Sequence, residues 1–208
     1  MSKVNPIVAV AAPVLLVSAF AFGGAGQSGA ARHAVILQPA DWVAFEAEVE
    51  YLTVPGKPAI PGRLYRARDG SRRVETGDPV TVVSIHNIPR ATYFVYSARE
   101  GWTARPMILP PEGWRPRQYR ADSRSLSKER EPYLGFEVYR LVSADGTIEL
   151  RAPALNFEPL VRQSARDGTR IVLKNIRLVE PDPSLFEPPA GASVRYLSEP
   201  GGIVFSSK

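Results

Sequence analysis

The chain contains no cysteine and only two histidines, His33 and His86, in 208 residues. The absence of cysteine excludes disulfide bonds, thiolate metal sites, cysteine nucleophiles and the lipidated cysteine of a bacterial lipoprotein. A histidine-based metal site needs at least two nitrogen ligands close together, and these two histidines lie far apart in the sequence. His86 falls in a strand-like run and is interpreted as a structural or surface residue rather than a general base.

Sequence motifs of catalysis are also missing. The chain has no Gly-x-Ser-x-Gly nucleophile elbow and no glycine-rich phosphate loop. Glu46, Glu48 and Glu50 alternate along one run and resemble paired catalytic acids, but the wet face of a strand explains the same pattern. We therefore expect neither enzyme activity nor a cofactor.

Helical periodicity is scarce, and proline, with 20 residues, separates short strand-like runs. Residues 43–51, VAFEAEVEY, alternate apolar and acidic side chains, which predicts a strand with one buried and one wet face. Arg66 and Arg68 of the next run are expected opposite the three glutamates, on the same face. The best helical candidates are 33–44 and a stretch within 122–131.

Turn signals predict how the strands are connected. Asp-Gly is a strong hairpin signal, because a type I′ turn needs positive φ at both central residues, and strand-like sequence flanks each of its three copies. The copies lie at 69–70, 145–146 and 167–168. We expect an antiparallel meander of about eight to ten strands. In the run 169–179 the apolar phase changes near Asn175, which indicates a β-bulge or a strand covered on both faces.

The N-terminal segment has the features of a secretory signal peptide. Lys3 is the only charged residue among the first 31, and an apolar run and a series of small residues follow it. The alternative is an uncleaved membrane anchor, although Pro6 and Pro13 interrupt an apolar stretch of nearly minimal length. We expect a signal peptide over about 1–25, a β domain over 26–208, and export to the bacterial periplasm or cell envelope.

The formal net charge of +5 does not indicate nucleic-acid binding, because the basic residues are scattered and an exported protein rarely meets nucleic acid. The Pro- and Arg-rich stretch at 105–131 interrupts the meander and is either a solvated loop or a contact for a partner. Arg115, Arg117 and Arg120 are the candidate partner-binding residues of this stretch.

The segment 167–194, DGTRIVLKNIRLVEPDPSLFEPPAGASV, resembles the C-terminal segment of the LolA-like superfamily, which includes the outer-membrane lipoprotein carriers. An Asp-Gly hairpin, a strand rich in Ile, Val and Asn, and a proline-bounded Phe followed by Pro-x-Gly carry the resemblance. The matching residues are Asp167, Gly168, Ile171, Asn175, Phe186, Pro189 and Gly191. A pattern-level resemblance covers 43–101 and 135–195, in which Arg73 matches an arginine of the family's first hairpin.

The resemblance implies a mainly β fold: a single curved, half-open antiparallel sheet, or incomplete barrel, with one or two short helices on its concave side. In that family the concave face holds an apolar cavity that accepts acyl chains. On this basis we expect a binding protein for an acyl chain or a lipidated partner, acting in lipid or lipoprotein trafficking. The candidate lining residues are Phe45, Val49, Tyr51, Leu64, Phe136, Val138 and Phe186.

The alternative is an interaction or stress-sensing protein of the envelope that has the same fold and no lipid cargo. A protein partner then replaces the acyl ligand, and Arg73 joins the three loop arginines as a contact. Neither hypothesis involves nucleic acid, and both expect a monomer. Apolar residues alone do not separate an open cavity from a closed core, so the sequence leaves both hypotheses standing.

Overall fold

The computed structural model describes residues 33–35, 39–53, 56–109, 115–116, 120–122, 126–128 and 132–198. The predicted signal peptide lies outside these residues. The described chain consists of fourteen β-strands and two short 3-10 helices, so the prediction of a mainly β fold is confirmed. The helices expected within 33–44 and 122–131 are wrong for the described parts, which contain the strands His33–Val35 and Leu126–Lys128.

The elements have the following bounds. The strands are β1 His33–Val35, β2 Phe45–Leu52, β3 Ile60–Arg66, β4 Arg72–Thr76, β5 Val82–Asn87, β6 Thr92–Ser97, β7 Gly101–Pro106, β8 Arg120–Asp122, β9 Leu126–Lys128, β10 Tyr139–Val142, β11 Ile148–Ala152, β12 Glu158–Gln163, β13 Arg170–Arg177 and β14 Val194–Tyr196. The first 3-10 helix is Pro153–Leu155 and the second is Pro183–Phe186.

Twelve strands form one sheet, in the order β14-β7-β6-β5-β4-β3-β2-β13-β12-β11-β10-β9, while β1 and β8 pair separately. Neighbouring strands are antiparallel, except that β14 runs parallel to β7. The two outermost strands, β14 and β9, do not pair with each other in this order. The sheet is therefore open and does not close into a barrel.

The three Asp-Gly pairs lie in the turns of hairpins, as predicted. These turns are not of the expected type I′. Each Asp side chain accepts a hydrogen bond from the backbone N–H two residues later, at 2.6 to 2.9 Å. Gly70, Gly146 and Gly168 have positive φ, whereas the aspartates before them do not. Since a type I′ turn needs positive φ at both positions, these turns instead combine an Asp side-chain bond with one left-handed glycine.

The sheet is curved, and its concave side is the face that carries Phe45, Ala47 and Val49. Strand order places β4 and β12 four strand spacings apart, about 19 Å in a flat sheet. Arg72 on β4 nevertheless lies 3.4 Å from Glu158 on β12. Two extended side chains do not span that separation, so the sheet bends around this face, which is called the inner face below.

One apolar cluster covers part of the inner face, over β2, β3, β4 and β11 to β13. Its buried members are Phe45, Ala47, Val49, Tyr51, Leu64, Val74, Val138, Ala152, Leu155, Leu160 and Leu173. Leu155 comes from the first 3-10 helix, and Tyr133, Phe136 and Val138 come from the segment before β10. Complete burial of one such side chain stabilises the fold by about 1.5–3 kcal/mol.

A second apolar cluster lies on the opposite, outer face. It contains Tyr65, Ala67, Val83, Ile85, Phe94, Ala104 and Phe186. The register places Tyr65 across from Glu46, whereas Leu64 of the first cluster pairs with Ala47. Because adjacent residues of a strand point to opposite faces, the two clusters occupy opposite sides of the sheet.

The acidic side of β2 also lies on the outer face, but its partners differ from those expected. Glu46 pairs with Arg177 and Glu50 pairs with Lys174, both on β13. The expected position of Arg66 is wrong, because its register partner is Phe45, on the inner face. Arg68 lies beyond the end of β3 and pairs with Glu180.

The phase change in β13 is a β-bulge. The pairing of β13 with β2 shifts between Lys174 and Arg177, and Asn175 has a φ of 49°. The side chain of Asn175 donates a hydrogen bond to Glu48 at 2.8 Å. Of the two alternatives that the sequence leaves open for this strand, the structure therefore contains the bulge.

Candidate functional site

The regular register of β2 to β7 creates one transverse row of side chains on the inner face. Starting from Phe45 on β2, the directly paired residues on the following strands are Arg66, Arg72, His86, Tyr93 and Arg105. These last five residues are called the polar row. Directly opposed side chains in a sheet lie about 5 Å apart. Each member of the polar row is therefore a close neighbour of the next.

A buried carboxylate joins the first two arginines of the polar row. Like charges directly opposite each other destabilise a sheet, but Glu158 lies 3.0 Å from Arg66 and 3.4 Å from Arg72. Burial alone raises the pKa of Glu158, but the charges of Arg72 and Arg66 outweigh it and lower that pKa below its usual value. Glu158 is therefore ionised at neutral pH.

Two further contacts fix Arg66. Its guanidinium lies 4.7 Å from the ring centre of Trp42, which is a cation–π contact. It also donates a hydrogen bond to the carbonyl of Gly70 at 3.2 Å. Arg66 is thus held from several sides, whereas the side chain of Arg72 retains 19% exposure. The solvent-accessible part of the polar row begins at Arg72.

His86 lies in the centre of the polar row as an uncharged group. Its ring stacks on that of Tyr93, with 4.8 Å between the ring centres and 24° between the planes. Burial, followed by the charges of Arg72 and Arg66, lowers the pKa of His86 to about 3. The neutral imidazole has one N–H donor, and within the described residues no hydrogen bond to the ring is present.

Tyr93 lies between His86 and Arg105 in the polar row. Burial raises the pKa of its hydroxyl, while the charge of Arg72, a hydrogen bond with Ser84 and the charge of Arg105 oppose that rise. Arg105 is half-buried on β7, and in the described parts of the chain it takes part in no salt bridge. Of the three arginines in the polar row, Arg66 and Arg72 share the carboxylate of Glu158, whereas Arg105 has no ion pair among the described residues.

The structure brings together six of the seven predicted ligand-lining residues. Phe45, Val49, Tyr51, Leu64 and Val138 are buried in the first apolar cluster, and Phe136 packs against it. Phe186 does not join them, because it belongs to the second cluster on the outer face. It is held there by the second 3-10 helix, whose carbonyls accept hydrogen bonds from Arg73 and Asn87.

The four predicted partner-binding arginines lie in different surroundings. Arg73 is on the outer face, where it donates to the carbonyl of Leu185 at 2.8 Å and pairs with Glu75. Arg115 is exposed. Arg120 belongs to β8, and Arg117 lies outside the described residues.

The cavities in the described part of the chain include the following two. One, of about 620 Å³, lies at the bulge on the outer face and is lined mainly by charged and polar residues, including Glu46, Arg63 and Arg177. The other, of about 230 Å³, lies beside the second 3-10 helix and includes Phe186. Neither is lined by any of the six predicted ligand-lining residues that lie in the inner-face cluster, although Ala47 of that cluster lines the first cavity.

Sequence reasoning missed the polar row, although a signal for it exists. On each of β3 to β6, the member of the polar row lies two positions along the strand from another inner-face residue. Examples are Arg66 after Leu64 and His86 after Ser84. Two positions along a strand return to the same face. The signal becomes readable only when the register of all six strands is known.

Chemical features of other classes are absent from the described residues. These residues include no helix that is both long and apolar enough to cross a membrane. They also include no group of three or more His, Cys, Asp or Glu side chains arranged to hold a metal ion.

No protein-family model matches the chain, and no curated protein matches it. Among solved structures, one distant match is a chain in the complex of MucA and MucB from Pseudomonas aeruginosa, with a TM-score of 0.45 and 12% sequence identity. The match covers 73% of this chain and 57% of that chain, so this chain spans little more than half the length of this structural neighbour. A likeness this distant assigns neither a family nor a function, and the resemblance to the LolA-like superfamily stays a prediction.

Proposed function

We propose that the chain is a non-enzymatic binding protein of the bacterial cell envelope that recognises a polypeptide partner on its inner face and carries no acyl chain. One observation carries the proposal: the protein's own side chains fill the apolar part of the inner face. This function is the alternative hypothesis drawn from the sequence. We prefer it here to lipid or lipoprotein trafficking.

The filling comes from segments that lie outside the strands. Phe136 and Val138 precede β10 and Leu155 belongs to the first 3-10 helix, and all three take part in the apolar cluster that contains the inner-face side chains of β2 and β3. Phe45 and Leu64 of this cluster each retain only 1% exposure. An acyl chain in this place must displace several buried side chains, each of which contributes about 1.5–3 kcal/mol by its burial.

The remainder of the inner face favours a polar partner. The polar row continues from Arg72 to Arg105 beyond the apolar cluster and carries an excess of positive charge. Cationic surfaces select partners mainly by charge complementarity and by paired hydrogen bonds. His86 remains neutral and stacked, which suits a hydrogen-bonding contact and requires no catalytic step.

Uptake of a fluorescent acyl probe tests this function. We expect the folded protein to leave the fluorescence of a dansylated C11 fatty acid, an emission-sensitive probe, unchanged. A saturable increase, abolished when Val49→Asp is introduced without unfolding the protein, would overturn the proposal. Val80→Asp is the matched control, because Val80 is exposed at 44% and lies outside the cluster.

A second candidate, acyl binding after displacement of the cover, is favoured by one feature. Tyr133 and Phe136 form an isolated bridge with two mutual backbone hydrogen bonds, and this bridge is not part of the large sheet. Removing it breaks no strand pairing. In that case the wild-type protein takes up the probe, and Phe136→Ala, which deletes part of the cover, raises the uptake further.

A further inference from the structure

We propose that the polar row from Arg72 to Arg105 is a binding site for a carboxylate of the polypeptide partner. The proposal rests on the function proposed above and adds the chemical group that is recognised. Four side chains on four adjacent strands form the site: Arg72, His86, Tyr93 and Arg105.

The first reason is that every member of the site can donate a hydrogen bond. Guanidinium groups and the N–H of a neutral imidazole are donors, and the Tyr93 hydroxyl both donates and accepts. An ionised carboxylate only accepts, and it has two oxygens for several donors. The donor set and the excess of positive charge therefore match a carboxylate, and hydrogen bonds of this charge-assisted kind are the strong ones.

The second reason is that His86 has unused hydrogen-bonding capacity. His86 is half-buried, and among the described residues its ring has only the stacking contact with Tyr93. A partner that displaces solvent from this ring must supply an acceptor, because buried polar groups are nearly always paired. A ligand oxygen between Arg72 and Arg105 supplies the missing acceptor for the imidazole N–H.

The third reason is that the same row already holds a carboxylate in this manner. Glu158 lies between Arg66 and Arg72, within 3.0 Å of the first and 3.4 Å of the second. A carboxylate bound between Arg72 and Arg105 is likewise flanked by two arginines of the row, but here His86 and Tyr93 lie between them. Arg72 is partly exposed, and its longer contact with Glu158 leaves donors for a second acceptor.

The site also lies where solvent can reach it. Arg72 and Arg105 are half-buried rather than enclosed, whereas Arg66 is almost completely buried beneath Trp42. A partner's acidic side chain can therefore reach the outer part of the row without disturbing the apolar cluster. Arg66 and Glu158 form the buried end of the polar row.

The test is a titration of the full-length protein with an acetylated, amidated peptide of alternating Ala and Glu, with the Ala–Gln peptide as control. His33→Gln leaves His86 as the single histidine, so its imidazole resonances report binding directly by NMR. We expect the Glu peptide to shift these resonances and the Gln peptide to leave them in place. Arg105→Gln should weaken binding by about tenfold or more, since it removes a charge-assisted hydrogen bond.

Arg166→Gln is the matched control, because Arg166 is an exposed turn residue outside the row. Tyr93→Phe is a second variant that keeps the ring stack and removes the hydroxyl, and it should also weaken binding in a folded protein. Equal binding of both peptides, or binding that leaves the His86 resonances unmoved, would overturn the proposal.

Three more outcomes separate this proposal from the function on which it rests. If phosphatidylcholine vesicles containing phosphatidic acid shift the His86 resonances and the Glu peptide does not, the group recognised is a lipid phosphate and the carboxylate assignment is wrong. If neither ligand binds and the acyl probe is also not taken up, the carboxylate site alone is wrong. Uptake of the acyl probe contradicts the proposed function itself.

Discussion

At the scale of single residues, one buried carboxylate holds two arginines of the inner face together. Glu158 is the ionised group between Arg66 and Arg72, and without it two guanidinium groups face each other directly across β3 and β4. A buried ion pair need not stabilise a fold more than an apolar pair of the same size. Removing one partner is different, because it leaves a buried charge without compensation.

Glu158→Gln is therefore expected to destabilise the protein by about 3–5 kcal/mol, measured by urea-induced unfolding. Glu180→Gln serves as the control, because its pair with Arg68 is exposed and such pairs contribute about 0–1 kcal/mol. Similar small losses in both variants would contradict the role assigned to Glu158.

His86 makes the stability of the protein depend on pH. Its pKa in the folded state is about 3, against about 6.5 in an unfolded chain. Between these values the unfolded state binds a proton that the folded state does not, so stability falls as the pH decreases from about 6.5 towards 3. This contribution to stability is complete above the unfolded pKa.

We expect His86→Gln to reduce the pH dependence of unfolding between about pH 6 and pH 4 by roughly 1.4 kcal/mol per pH unit. Chemical denaturation at a series of pH values measures this slope. An unchanged slope in the variant would contradict this account, because it would show that folding does not lower the pKa of His86.

The second 3-10 helix illustrates how the elements divide the two faces of the sheet. Asp182 caps this helix by accepting a hydrogen bond from the N–H of Ser184, and Arg73 and Asn87 bind its carbonyls. These contacts hold Phe186 in its packed position in the outer-face cluster. The proline-bounded Phe of the C-terminal segment is thus a core residue of the outer face.

Phe186→Ala should cost about 3–5 kcal/mol of stability, the usual range for truncating a buried Phe, because the side chain retains 4% exposure. It should leave acyl-probe uptake and peptide binding unchanged, since both are assigned to the other face. Thermal unfolding and the two binding assays check this together. A specific loss of binding in the folded variant would place Phe186 in the site after all.

The same elements explain how much the sequence could predict. The alternation of β2, the three hairpins and the bulge near Asn175 are local patterns, and the structure contains each of them. The position of Arg66 was predicted wrongly because face assignment depends on pairing between strands. The side of the sheet on which Phe186 packs depends on the path of 178–186, which no local pattern fixes.

At the scale of the molecule, most of the described strands form one open sheet with two separate apolar clusters, one on each face. An open curved sheet offers a concave surface, but the surface is available to a ligand only where the chain's own segments leave it uncovered. Here the apolar part is covered by 133–138 and by the first 3-10 helix, and the polar row extends beyond that cover. The polarity of the uncovered part is the basis for proposing a polar partner.

Native mass spectrometry of the protein isolated from an envelope extract under non-denaturing conditions tests the central claim most directly. Because the apolar part of the inner face is filled, the account predicts the mass of the polypeptide without lipid, before and after mild collisional activation. A stoichiometric lipid or lipopeptide adduct that disappears in a folded Val49→Asp variant would contradict it, since such an adduct requires an open apolar cavity at the inner-face cluster.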